Sequence, residues 1–186
     1  MHRTLASLVL VLASAVSADR VLGQAKWTDA QKIANAVTAA PRFISQKAAI
    51  MEWQNGKPVT LRAGTNGWTC VPTDPAKEGN EPMCLDDEWM SFMNALRTKT
   101  TPHVRRVGVA YMTAPGGAPG SNTDPFAKEA TPDNEWGYDP PNVMLLVTDP
   151  HELEGIPTKR QSGGPWVMWA GTPYAHIMVP LARPKK

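Results

Sequence analysis

No stretch of about 20 consecutive apolar residues occurs in this sequence, so nothing in it has the length of a comfortable membrane-spanning helix. The signatures of familiar hydrolytic chemistry are missing as well. There is no G-x-S-x-G elbow, and Ser162, in Gln-Ser-Gly-Gly, has no recognisable base beside it. There is no H-E-x-x-H and no C-x-x-C, and two cysteines alone cannot build a structural zinc site. Nor does their spacing have the form that lowers a thiol pKa. Charge of one sign is scarce too. The 19 Lys and Arg against 17 Asp and Glu leave +2, and without a basic stripe the chain lacks the footprint that phosphate backbones select. No nucleic acid partner is expected, and nothing indicates a cofactor.

What is present begins with export. His2 and Arg3 precede an apolar and small run over residues 5–18 that ends in Val16-Ser17-Ala18, the small-x-small pattern of a signal-peptide cleavage site. A second candidate cut follows Ala25. The expectation is a signal peptide over residues 1–18, cut as late as 25, and a periplasmic or extracellular location with no stable membrane insertion after its removal. No Cys follows the apolar run, so a lipid-anchored amino terminus is not indicated. Residues 26–186 are long enough for one domain with a real core. Removing the leader takes the charge to +1 whichever cut is used, because the later one also removes Asp19 and Arg20.

Two cysteines in an exported chain have only each other to pair with, which predicts a Cys70–Cys84 disulfide around a Pro- and Gly-rich loop at 72–82. A strand ending near Cys70 is thereby tied to a helix starting near Asp86. That helix is the best in the chain: Asp86 caps it, Asp87 and Glu88 favour its positive end, and Trp89, Phe92, Met93 and Leu96 give it an apolar face. A shorter helix follows Thr28 and Asp29 and stops at Pro41, its face mostly alanine and its packing peripheral. Residues 48–53, 59–61 and 68–71 read as three short antiparallel strands, the first two joined by an Asn55-Gly56 turn.

Further strands are expected at 107–112 and 143–147. The unbroken Val-Met-Leu-Leu-Val of the latter suggests burial on both faces at the sheet centre. Residues 166–169 and 174–179 form a last hairpin around 171–173. Between 113 and 141 lie 29 residues with six prolines and four glycines and no periodic segment, the kind of connection that is usually functional or disordered. The sum is an α+β fold: an antiparallel or mixed sheet of about six or seven strands with one main helix on one face.

Gly-Thr-Asn-Gly-Trp-Thr-Cys at 64–70, Pro-Met-Cys-Leu-Asp at 82–86, Asn122-Thr-Asp-Pro, and Trp-Ala-Gly-Thr-Pro-Tyr-Ala-His-Ile-Met-Val-Pro at 169–180 occur in this order. With these strings the chain resembles a family of uncharacterised secreted bacterial proteins over essentially its whole mature length. The resemblance implies export from a bacterial cell and assigns no catalytic residue.

The richest constellation is Trp166, Met168, Trp169, Tyr174, His176 and Met178. Strand alternation puts Trp166 and Met168 on one face and Trp169 on the other, while Tyr174, His176 and Met178 share a face. Across a hairpin, Trp166, Trp169, Tyr174 and His176 can form an aromatic pocket for a small, partly apolar ligand, with His176 as its polar group and the 113–141 loop as its cover. The competing reading is a Trp- and Met-rich core around a hydrogen-bonded histidine. A metal-assisted or acid–base enzyme would instead use His176 with His103 or His151. Those histidines, with Met168 and Met178, are ligand types that suit copper, but their spacing lends no support. Asp124, Glu129, Asp133, Glu135 and Asp139 are oxygen ligands without the calcium-loop pattern. A structural envelope protein without ligand is the third reading.

Overall fold

The computed structural model describes residues 27–160 and 163–181; the expected signal peptide, both cleavage sites and Ser162 lie outside them. Thr28 opens the first helix, α1 (Asp29–Ala36), with a capping box: its hydroxyl accepts from the Gln31 N–H while the Gln31 amide oxygen accepts from the Thr28 N–H. A 3-10 turn (Val37–Ala39) and a one-turn helix α2 (Arg42–Ser45) carry the chain to the hairpin β1 (Ala49–Gln54) and β2 (Lys57–Arg62). Asn55 and Gly56 take the positive φ values, 50° and 79°, that this turn requires.

Strands β3 (Thr69–Val71) and β4 (Met83–Leu85) lead into α3 (Asp87–Thr98) and β5 (Gly108–Met112). A small ribbon follows, β6 (Pro119–Ser121) with β7 (Trp136–Tyr138), and then β8 (Asn142–Leu146), β9 (Trp166–Met168) and β10 (His176–Pro180). The main sheet has eight strands in the order β2-β1-β3-β4-β5-β8-β10-β9. The α+β class, the mixed sheet, the helix on one face and the Cys70–Cys84 disulfide are as the sequence implies. Among the described residues no helix is long and apolar enough to cross a membrane.

Several local expectations are corrected. Cys84 lies in a strand of its own, β4, directly opposite Cys70, so the disulfide staples two rungs of a hairpin rather than a strand to a helix. The first three strands are not all antiparallel. β2 runs back along one side of β1, the chain crosses beneath the start of β1, and β3 emerges on the other side parallel to β1. Gly64 makes that crossing possible, since a Cβ there would stand 2.0 Å from the Ala49 nitrogen. The 113–141 segment contains the β6–β7 ribbon, and β8 is fully buried on one face only, through Asn142, Met144 and Leu146.

The alanine-rich amino-terminal face is also more than peripheral. Ala36, Ala39, Ala40 and Ala48 are buried with Ile44, Ile50, Cys70 and Cys84 in one core. Small side chains let α1 and its 3-10 extension sit directly on the disulfide. The other face carries a second core, in which Val71, Leu85, Ala110, Met144, Trp166 and Met178 pack beneath Trp89 and Phe92 of α3.

The cross-link closes a 14-residue separation, worth about 3 kcal/mol by chain entropy. Replacing both cysteines with alanine is expected to lower the urea-derived unfolding free energy by about that amount. An unchanged midpoint would show that the bridge contributes nothing.

Candidate functional site

The face of the sheet beneath α3 does not close completely at its carboxyl-terminal end. A cavity of about 250 Å³ remains between α3, the strands β5, β8, β10 and β9, and the chain from Ala118 to Ala127. α3 supplies Trp89, Met93 and Leu96 from one side, positions four and seven residues apart on the same helical face. Asp86 aims that face: one carboxylate oxygen accepts from the Trp89 N–H at 2.9 Å and the other from the Val109 N–H at 2.8 Å, fixing the helix to β5. The expectation that Asp86, Asp87 and Glu88 act as a cap and first turn agrees with this. Glu88 is buried and holds the Arg105 backbone N–H at 2.8 Å, which keeps its carboxyl below the usual range.

His176 stands at the centre of the cavity's sheet wall and is 1 % exposed. The rings of Trp89, Trp169 and Phe92 meet it edge-on, with centroids 5.1, 5.0 and 6.0 Å away. Its Nδ1 lies 3.0 Å from the Tyr174 carbonyl oxygen. A carbonyl can only accept, so Nδ1 carries the proton and Nε2 presents a bare lone pair. That Nε2 is buried without a hydrogen-bond partner among the described residues, and so is the Trp89 indole Nε1–H. Burial pushes the imidazole pKa down to about 4, outweighing the Tyr174 carbonyl, which favours the charged form. The ring is therefore neutral at pH 7.

Trp169 also lines the cavity, although strand alternation assigns it to the opposite face. Its φ of 56° is left-handed, which ends β9 and swings the indole to the His176 side, where Nε1–H donates to the Ser121 carbonyl at 2.8 Å. Of the four aromatic and histidine positions expected to bind ligand, Trp169 and His176 reach the cavity; Trp166 and Tyr174 pack beside it. Trp166 is fully buried and donates to Asn122 Oδ1 at 2.9 Å, and the Tyr174 hydroxyl donates to the Thr100 carbonyl at 3.0 Å.

The remaining sequence candidates scatter. His103 is exposed, as is His151, whose Nδ1 faces Glu154. Among the described residues no three His, Cys, Asp or Glu side chains gather to hold a metal. The three-histidine arrangement therefore does not assemble, because His103 and His151 lie exposed on separate connections while His176 is buried in β10. Nor do the acidic residues of the 113–141 segment form a calcium cage. Asp139 accepts from Arg160 Nε at 2.6 Å, and Glu135 takes the Asn122 amide and the Arg160 backbone N–H. Asp139 and Glu81 line the cavity at its other end, and burial raises both carboxyls above their ordinary range.

Sequence reasoning missed three contributors. Trp89 was read only as helix core. Asn122 is a buried hub whose side chain joins Trp166, Glu135 and the Thr158 carbonyl, and whose own carbonyl accepts from the Trp169 N–H. The other methionines are the third: six of the chain's nine line the cavity, and beside Met168 and Met178, which the sequence places in the constellation, they are Met83, Met93, Met112 and Met144.

A buried neutral histidine makes folding sensitive to acid. Between its unfolded pKa near 6.5 and its folded value of about 4, the unfolded chain binds the extra proton, so stability present above pH 6.5 is lost as pH falls through that window. At about 1.4 kcal/mol per unit the whole window is worth about 3–4 kcal/mol. Glu81 and Asp139 act in the opposite sense, since protonation relieves their burial. In urea unfolding at pH 7.5 and 4.5, the native chain is expected to lose about 2–3 kcal/mol more than His176→Leu, a comparison in which the carboxylates cancel. Parallel losses would show that His176 does not titrate this way.

Compared with known proteins, the chain matches no family model, no curated protein and no solved structure, so its function is to be read from the site itself.

Proposed function

We propose that the protein is an exported binder of a small, partly apolar molecule, held in the cavity between α3, the β8–β10–β9 face and the 113–141 segment. The observation that carries this reading is that Trp89 and His176, which line one mostly apolar cavity with Glu81 and Asp139 at its other end, bury a donor, Trp89 Nε1–H, and an acceptor, His176 Nε2, without a partner among the described residues. Each unmade hydrogen bond costs about 1–3 kcal/mol, a deficit that a ligand bearing a hydroxyl or amide group relieves at both atoms. A mostly hydrophobic lining with few convergent polar groups is the usual composition of a small-molecule site. The volume of about 250 Å³ exceeds the roughly 150 Å³ that accommodates benzene, leaving room for a ring and a substituent.

Export through the amino-terminal leader, into the periplasm or beyond a bacterial cell, belongs to the same proposal. A disulfide fits an oxidising compartment, and the resemblance to secreted bacterial proteins points the same way.

Phenol and toluene differ here by the one group that matters. Titrated into the protein and followed by tryptophan fluorescence, phenol is expected to bind about tenfold or more tightly than toluene. His176→Leu and Trp89→Phe should each erase that preference while toluene still binds. Equal affinity for the two probes, or none for either, would sink the reading.

A further inference from the structure

Beyond an organic ligand, we infer that the sheet wall of this cavity is a site for a soft monovalent cation, copper(I), held by His176 Nε2 and the thioether sulfurs of Met168, Met178 and Met144. The inference uses the same cavity as the organic-ligand reading but not its occupant.

Strand register brings these four side chains together. His176 is paired directly with Met168 across β10–β9, and Met178 directly with Met144 across β10–β8. Directly opposed side chains start with Cβ atoms about 4.5–5.5 Å apart. His176 and Met178, two residues apart on one strand, point to the same face at a separation of about 7 Å. All four line the one cavity. A methionine has three rotatable bonds, so sulfurs starting from these positions can converge on the imidazole nitrogen without moving the backbone.

The imidazole itself is prepared as a ligand. Histidines that bind metals almost always donate their other ring N–H to a carboxylate or backbone carbonyl, which fixes tautomer and orientation. His176 does so through Nδ1 to the Tyr174 carbonyl at 3.0 Å, and aromatic edges from Trp89, Phe92 and Trp169 confine the ring. Nε2 is left buried and, among the described residues, unpartnered. A merely structural histidine at this depth would be expected to use both nitrogens.

The donor set selects the ion. Thioether and imidazole are soft to intermediate ligands that favour copper(I) over hard cations. All four are neutral, which suits a single positive charge better than a double one in a desolvated site. The only described cysteines, Cys70 and Cys84, are consumed in the disulfide on the opposite face of the sheet. In a compartment that oxidises thiols, thioethers are the soft sulfur donors that remain.

The test is an anaerobic titration of the purified protein with copper(I) against the chromogenic chelator bicinchoninate. The expected result is one equivalent withheld from the chelator, with sulfur and nitrogen neighbours in the copper X-ray absorption spectrum and no comparable retention of zinc(II). Met168→Leu/Met178→Leu conserves volume and apolarity, so it keeps the fold, read as an unchanged cooperative urea transition, while weakening copper(I) by roughly a hundredfold or more. If the native protein withholds no copper(I), or the double variant binds it as tightly as the native protein does, the inference falls. Phenol binding by the native protein then tells that failure apart from failure of the cavity itself.

Discussion

The two-residue period of the central strands is the constraint on which the rest depends. In β3 and β4, Cys70 and Cys84 point to the α1 face while their neighbours Val71 and Leu85 point to the α3 face. In β1 and β5, Ile50 and Met51, and Tyr111 and Ala110, divide in the same way. A register slip of one residue would exchange the two sets everywhere. The disulfide opposes that slip, because it joins residues that are directly opposed in the ladder. β4 passes straight into the Asp86 cap, so the register that seats sulfur beneath α1 also seats Trp89 over the sheet. The bridge lies on the far side from the cavity, yet it sets the cavity's roof.

Polar bonds, more than apolar packing, hold the remaining wall. Ala118, Pro119, Gly120 and Pro125 have little side chain with which to fill the space above Met144 and Met178. Their segment is suspended instead from Asn122, from Arg160, whose guanidinium joins Asp139 and the Gly120 carbonyl, and from the Trp169 indole on the Ser121 carbonyl. Collapse of this wall onto the methionines would strand those buried groups, each at a cost comparable to a lost hydrogen bond. A space therefore persists where an ordinary core would close, which is the condition for leaving Trp89 Nε1 and His176 Nε2 unsatisfied.

Much of the architecture was legible from the sequence because it rests on local rules. Asp86 capped the helix that its pattern announces, Asn55-Gly56 made the turn its φ preferences require, and two cysteines found each other. What was not legible came from long-range pairing. β4 and β6 are three residues long, too short to show alternation, and they exist because neighbours at distant positions supply their hydrogen bonds. The parallel β1–β3 pair depends on a crossing that Gly64 alone permits, a steric fact about Ala49 that no pattern in residues 64–70 contains.

The candidate site divides along the same line. Met168, His176 and Met178 were visible as one face of a hairpin, since alternation and a short turn suffice to place them. Trp169 was not, because a left-handed residue at a strand end breaks the period that the inference uses, and nothing in Trp-Ala-Gly-Thr-Pro marks which residue will bend. Met144, Trp89 and the 118–127 chain reach the same cavity from three separate elements. A lining assembled in this way combines a rigid part, the histidine fixed to its own strand, with a compliant part, the methionines, whose torsions readjust at little cost. Such a wall holds one polar atom in place while allowing the apolar surface around it to conform, so under the proposed binding function the group that meets Nε2 counts for more than the outline of what is attached to it.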